Sequence, residues 1–269
     1  MEQRFDLHIH SCHSPDCKSC PADLFAAARR AGLSGVAITD HDSFGGSQEA
    51  LALAPRDLLV VPGVEFSTEY GHILCYFLKD DPYAAGLRKG ADGFFAFDEL
   101  CAFACAQNAE LFAAHPYRGT RFTEALLPRL RGIEAFNGGN TPRRQDANDR
   151  ACALAGRLNL PFSAGSDAHT LSAVGTGARI LDLPEHPTLA QFRAALTAPG
   201  GAVFGRYSPA APEHFWYAQM FRGRKKYRRA AKQLAMGLAG ALLYDPFAPL
   251  RASTRAIARG AVITIGGSR

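Results

Sequence analysis

The 269-residue sequence lacks several features that would assign its class at once. No apolar run approaches the roughly 20 residues that span a bilayer, and the longest, Leu234 to Leu243, is too short. The opening Met1-Glu2-Gln3-Arg4-Phe5-Asp6 has no signal-peptide apolar stretch, so a cytoplasmic location is expected. Internal repeats and low-complexity linkers are missing. Charged residues are only 20% against 47% hydrophobic, which excludes disorder, collagen and coiled coil. The seven cysteines are odd in number, so a disulfide framework is not expected. Cys17-x-x-Cys20 has no second C-x-x-C to complete a zinc site and reads as free thiols. Cys101 and Cys105 lie four apart in an Ala-rich helix and read as small core residues.

The charge that is present is uneven. Residues 1–205 carry 18 basic and 23 acidic side chains, a net −5. Residues 206–269 carry 12 basic and 2 acidic, a net +10. The chain divides into an acidic body, 1–205, and a basic extension, 206–269.

Within the body, short apolar runs alternate with helical patterns. Strands are expected at Phe5–His10, Gly35–Thr39, Leu58–Thr68, His72–Leu78, Leu111–His115, Gly132–Asn137, Phe162–Ser166 and Gly177–Leu181. Helices are expected at Pro21–Ala31, Gly46–Leu53, Asp98–Ala109, Pro142–Leu158 and Thr188–Leu196, with 80–93 a loop. Such alternation predicts an α/β fold with a parallel sheet, and the strand number favours a closed or nearly closed barrel. In the extension, Tyr217, Met220, Phe221, Tyr227, Ala231, Leu234 and Leu238 follow helical spacing. Helices packed on the barrel edge are expected there, then poorly predictable structure up to Arg269.

The chemistry lies in where His, Asp and Glu fall. His8 and His10, at i and i+2, share one face at the end of the first strand. One H-x-H is as well explained by a solvated face, but the pattern recurs. Asp40-His41-Asp42 follows the second strand, and Glu65 stands in the third. His72 opens the next, His115 ends Leu111–Ala114, and Asp167 and His169 end Phe162–Ser166. In barrel enzymes these strand ends converge on the active site. With Asp16, the candidates are His8, His10, Asp16, His41, Glu65, His72, His115, Asp167 and His169. They exceed the roughly four protein ligands one ion takes, so two or three divalent ions are implied. Imidazole with carboxylate suits zinc, manganese or iron.

The segments Asp6-Leu7-His8-Ile9-His10, Thr39-Asp40-His41-Asp42, Gly63-Val64-Glu65, His115-Pro116 and Gly165-Ser166-Asp167-Ala168-His169 resemble the PHP (polymerase and histidinol phosphatase) family in order and spacing. The resemblance covers residue 5 to about 180. It implies a distorted seven-stranded, TIM-like (β/α)7 barrel with a trinuclear metal centre and phosphoesterase activity. By that resemblance His8, His10, Glu65 and Asp167 hold one ion. Glu65 bridges to a second with His72 and His115, and Asp16, His41 and His169 hold the third. Asp40 and Asp42 are read as orienting His41.

Clustered divalent ions suit phosphate-ester hydrolysis by a bridging hydroxide. The substrate would be a phosphorylated metabolite, a nucleotide or a short oligonucleotide. Arg118, three residues after His115, and Arg143 and Arg144, at a helix start, are the candidate phosphate-binding residues. Asn137 at a strand end is set beside Asp40 and Asp42 as a catalytic or metal-supporting group. Glu134 reads as a buried supporting carboxylate, and His13, His186 and His214 have no assigned part. The basic extension reads first as a solvated helix face, then as a nucleic acid contact, then as a surface for acidic lipid. Two further readings are weighed. An amidohydrolase-like barrel normally needs a bridging lysine, and no lysine ends a central strand here. A non-catalytic metal-binding module fits poorly with an intact ligand set.

Overall fold

The computed structural model describes residues 1–140, 144–206, 210–244 and 253–267. Their strands form one eleven-stranded mixed sheet with helices against it. Strands β1 (Glu2–Ile9), β2 (Gly35–Ile38) and β3 (Leu59–Thr68) are parallel neighbours. The return strand β4 (Gly71–Tyr76) is antiparallel to β3 and to β5 (Glu110–Ala113). From there β5, β6 (Gly132–Asn137) and β7 (Phe162–Gly165) are parallel again. The sheet is therefore mixed rather than all parallel, because the short β3–β4 turn permits only an antiparallel return.

Helices α1 (Pro21–Arg30), α2 (Gly45–Ala52), α3 (Phe97–Gln107), α4 (Gln145–Leu158) and α5 (Leu189–Leu196) occupy nearly the expected positions. Pro21 suits the first turn of α1, and Thr188 caps α5 in a reciprocal bond pair with Gln191. Cys105 on α3 is exposed, so helical spacing alone misplaces it in the core.

The seam where a barrel would close shows how the site is made. β7 returns to β1 only at its C-terminal end. The Asp167 N–H donates to His8 O at 2.7 Å, and the His10 N–H donates to Ala168 O at 3.0 Å. Lower down, β8 (Gly177–Asp182) pairs antiparallel with β1 over Glu2–Phe5 and takes that edge instead. A continuous seven-stranded ladder is thus replaced by a brief junction beside the two histidines. Gly165 is required at this junction, since a Cβ there would sit 2.3 Å from His8 Cβ. The Asp6 carboxylate accepts from the Ser166 and Gly175 N–H groups, both at 2.8 Å, and burial pushes it up to about 6.

Phe5, Leu7, Ala37, Val61, Leu74, Tyr76 and Phe112 form a buried cluster along the central strands. Each large side chain buried there contributes about 1.5–3 kcal/mol. Arg179 is also buried, stacks 3.8 Å above the Phe162 ring and donates to the carbonyls of Ile180, Gly200 and Ala202.

The extension contributes to two places. Past β9 (Gly201–Gly205), the last strand of the body, the sheet continues through β10 (Ser253–Ala258) and β11 (Ala261–Gly267) of the extension, all antiparallel. This terminal hairpin is what the poorly predictable stretch forms. Helices α6 (Ala210–Gly223) and α7 (Tyr227–Ala239) pack on each other between those strands. At their contact a Cβ on Gly237 would lie 2.7 Å from the Phe215 ring, and His214 Nδ1 meets Gln233 Oε1 at 2.6 Å.

Candidate metal centre

The strands, with the β1–α1 connection that carries Asp16, bring the nine candidate ligands to one place. Glu65, wholly buried in β3, is the hub. Its Oε1 lies 2.9 Å from His72 Nδ1 and 3.1 Å from His115 Nε2. Its Oε2 lies 3.0 Å from His41 Nδ1, 3.2 Å from His8 Nε2 and 3.4 Å from His10 Nε2. Asp167 Oδ1 stands 3.1 Å from His10 Nε2 and 3.4 Å from His8 Nε2. Asp16 Oδ2 stands 3.2 Å from His169 Nε2 and 3.5 Å from His41 Nε2.

Three overlapping groups each bring their donor atoms within 4.8 Å: His8, His10, Glu65 and Asp167; His41, Glu65 and His72; and His10, Asp16, His41 and His169. Buried His8 Nε2, His41 Nδ1 and Glu65 Oε2 have no hydrogen-bond partner although they face one another. Buried polar atoms left so are costly, and a cation between them removes the cost. The donor set therefore fits divalent metal ions.

The electrostatics agree. Burial would raise the Glu65 carboxyl, but His8, His72 and His41 outweigh it and hold Glu65 well below the usual range. Burial also opposes ionisation of Asp167, and Arg118 and His8 overcome it. For Asp16, hydrogen bonds to His169 and His41 overcome burial in the same way. Burial, with the charges of His169 and His41, pushes His10 down to about 3, the neutral form a metal ligand needs. Burial disfavours the charged form of His41, yet Glu65 and Asp16 lift it to about 11. A field that charges an imidazole also favours a metal cation.

Backbone strain marks the same points. His115 (φ +29°), Asp167 (φ +54°) and Asp42 (φ +55°) have left-handed or nearby conformations. Such strain persists where surrounding contacts fix it.

A ring of hydrogen bonds supports the cluster. His8 Nδ1 meets Glu134 Oε1 at 3.0 Å, and Glu134 Oε2 accepts from the Asn137 side-chain amide at 3.0 Å and the His115 N–H at 2.7 Å. Asn137 Oδ1 accepts from Arg118 at 3.2 Å, and Arg118 pairs with Asp167 Oδ2 at 2.7 Å. Asn137 is thus a buried strut between Glu134 and Arg118.

Asp40 and Asp42 flank His41 but bond elsewhere. Asp40 accepts from the Ser11 N–H at 2.5 Å and hydroxyl at 2.6 Å, fixing the turn after His10. Asp42 accepts from the Ser67 N–H at 2.6 Å and hydroxyl at 2.9 Å, and pairs with Lys89 at 2.7 Å. Both hold loops, which corrects the reading that they orient His41.

Arg118 stands half-buried at the cluster's edge, and the exposed Arg144 passes close to Gly119 on the same loop. Arg143 lies outside the described residues. His13 pairs with Glu49 at 2.6 Å at the rim, near Cys12.

Helix α6 also reaches the site, which sequence reasoning missed. The Trp216 indole N–H donates to Asp16 O at 2.6 Å, and Arg224, just past the helix, donates to Pro15 O at 2.8 Å. The Tyr217 ring lies 5.9 Å from that of His169, and Lys18 sits 4.5 Å over the Trp216 ring. The available signal was the single tryptophan of the chain, placed in a basic segment.

A mixed sheet whose strands, with the β1–α1 connection, gather six histidines and three carboxylates able to hold metal defines a protein of the PHP type, and the chain belongs to the PHP family. Residues 6–120 match the PHP domain model, and residues 145–198 match the PHP-associated model. An uncharacterized protein of Methanocaldococcus jannaschii is 31% identical over 148 residues, which are 49% of this chain and 80% of that one. The fold is similar to a two-domain protein of Bacteroides vulgatus described as containing a predicted PHP-like metal-dependent phosphoesterase. There the TM-score is 0.58 and the identity 20%, over 76% of this chain and 65% of that one. PsfC of Pseudomonas syringae is similar at a TM-score of 0.57 and 17% identity, over 84% of this chain and 98% of that one. Among the described residues no helix is long and apolar enough to cross a membrane.

Proposed function

We propose that this protein is a metal-dependent phosphoesterase acting on a small phosphate ester. The observation that carries the reading is Glu65, whose two buried oxygens face two different sets of imidazoles. A carboxylate so placed suits a bridge between ions. His8, His10, Glu65 and Asp167 would hold one; Glu65, His72 and His115 a second; Asp16, His41 and His169 a third. Bound divalent ions would supply Lewis acidity toward the phosphoryl oxygens and a lowered pKa for the attacking water.

The protein's own groups do the remaining work. Arg118, fixed by Asp167 and Asn137, gives the rim a positive charge toward a phosphoryl group. Arg144 adds a second on the same side. Glu134 sets the His8 ring through Nδ1, leaving Nε2 directed at the cluster. Tyr217 and Trp216 wall the Asp16 side and limit what can approach it.

The test is metal analysis after growth with zinc, manganese and iron, followed by a phosphate-release screen over nucleotides, bisphosphates and sugar phosphates. Two or three bound ions per chain and hydrolysis lost in His8→Ala are expected. Protein that binds none of the three metals would overturn the reading.

A further inference from the structure

The outer surface of α7 has no part in the metal centre. Ala230, Gln233 and Gly237 form its packing face toward α6. Next to that face, helical spacing aligns Tyr227, Ala231, Leu234 and Leu238. These are not core residues: Tyr227 is 65%, Leu234 49% and Leu238 52% exposed. Leu242 and Leu243 continue the apolar surface beyond the helix and are also exposed.

Cations border the stripe. Arg228 and Lys232, four apart, lie on the adjoining face, with Arg229 beyond. Arg222, Arg224, Lys225 and Lys226 crowd the turn before α7, and residues 214–244 contain no Asp or Glu. Between α6 and α7 runs an apolar groove of about 350 Å³, lined by Phe215, Ala218, Ala231 and Leu234.

We propose that α7 is a membrane-surface helix that docks the protein on an anionic lipid bilayer. Tyr227, Leu234 and Leu238 would enter the headgroup–acyl boundary, and Arg228 and Lys232 would meet lipid phosphates. An apolar stripe beside a cluster of cations is the pattern such helices use. The other occupants fit less well. Two copies joined through α7 would oppose like charges. A nucleic acid would engage the cations and leave the leucines in water. The inference does not depend on the phosphoesterase reading. Because α6 packs on α7 and reaches the Asp16 segment, docking would bring the metal centre near the bilayer.

The experiment is co-sedimentation of the full chain with vesicles of phosphatidylcholine, with and without phosphatidylglycerol, at low and high salt. Binding is expected only to the anionic vesicles and should fall as salt rises. Each basic residue near such a surface changes partitioning about fivefold, so Arg228→Glu with Lys232→Glu should lower it at least about twentyfold. Leu234→Ser with Leu238→Ser, both on the exposed stripe, should lower it about tenfold. The far-ultraviolet circular dichroism and thermal midpoint should be unchanged in both pairs, which shows that they fold. Absence of wild-type binding to anionic vesicles overturns the proposal. So does a dimer, seen by ultracentrifugation, that the leucine pair abolishes. Oligonucleotide binding lost on charge reversal but kept in the leucine pair, with no vesicle binding, reassigns the face to nucleic acid.

Discussion

Between Ile9 and His169 the strand ends hold most of their candidate ligands buried, and His8, Glu134, Asn137, Arg118 and Asp167 form a closed ring of polar contacts. On α6 and α7 the arrangement is nearly the reverse. Apolar side chains are exposed, cations lie side by side, and few bonds lead inward. The first region concentrates cost, because buried carboxylates and orphaned imidazole atoms are expensive and a cation among them would relieve that cost. The second leaves its apolar and charged groups on the surface, where they can meet something outside the chain.

The sharpest way to break that contrast is at Asp167, which joins the His8 and His10 side of the cluster to Arg118. Asp167→Ala should lower kcat by about 10³-fold or more, about 4 kcal/mol of barrier. Steady-state rates with equal metal loading check this, and a loss under tenfold would place the chemistry elsewhere.

Removing metal comes next. If cations relieve the buried charge, dialysis against a chelator should destabilise the protein by about 3 kcal/mol, the linkage expected at hundredfold saturation. The check is the thermal midpoint with and without chelator, and its restoration by added metal. An unchanged midpoint would mean that the strand-end region is self-sufficient.

Glu134→Gln is subtler, since it keeps size and can still bond Asn137. It removes the charge facing His8 Nδ1. Metal affinity or activity should fall about 10–100-fold. Titration with a fluorescent chelator as competitor measures it directly, and equal affinity would show that the ring of bonds does not tune His8.

The two regions also differed in how far they could be read from residues alone. At the strand ends the signal is local: period-2 alternation fixes that His8 and His10 share a side, and every candidate but Asp16 lies in or beside a strand. That made the candidate ligands and most elements legible, while the grouping of ligands by ion rested on the PHP resemblance. The antiparallel return of β4 and the wedge of β8 at the seam were not, because pairing partners depend on contacts distant in sequence. Asp40 and Asp42 were misread for a related reason. Adjacency to His41 suggests contact with it, whereas their positions turn them toward Ser11, Ser67 and Lys89. In the tail, one apparent stripe from Tyr217 to Leu238 is two surfaces. The chain turns at Lys225 (φ +56°), so Tyr217 faces His169 while Leu234 and Leu238 face outward. Periodicity reports that a face exists and not what lies against it.

The smallest expected effect is at the one place where the regions meet. Trp216→Phe keeps the aromatic ring but removes the N–H that donates to Asp16 O. Asp16 is the least buried of the three carboxylate candidates and comes from a segment between β1 and α1, not from a strand end. It therefore depends on what fastens that segment from above. Loss of one such bond is worth about 1 kcal/mol, so affinity for the last ion bound, or kcat/KM at limiting metal, should fall about fivefold. At saturating metal the rate should recover, because the variant loosens a ligand without removing it. The Leu234→Ser and Leu238→Ser pair, on the outer face of the neighbouring helix, should leave this metal dependence unchanged. If Trp216→Phe behaves like that pair, α6 is only a neighbour of the metal centre. If it shifts the metal dependence alone, the basic extension is part of the site.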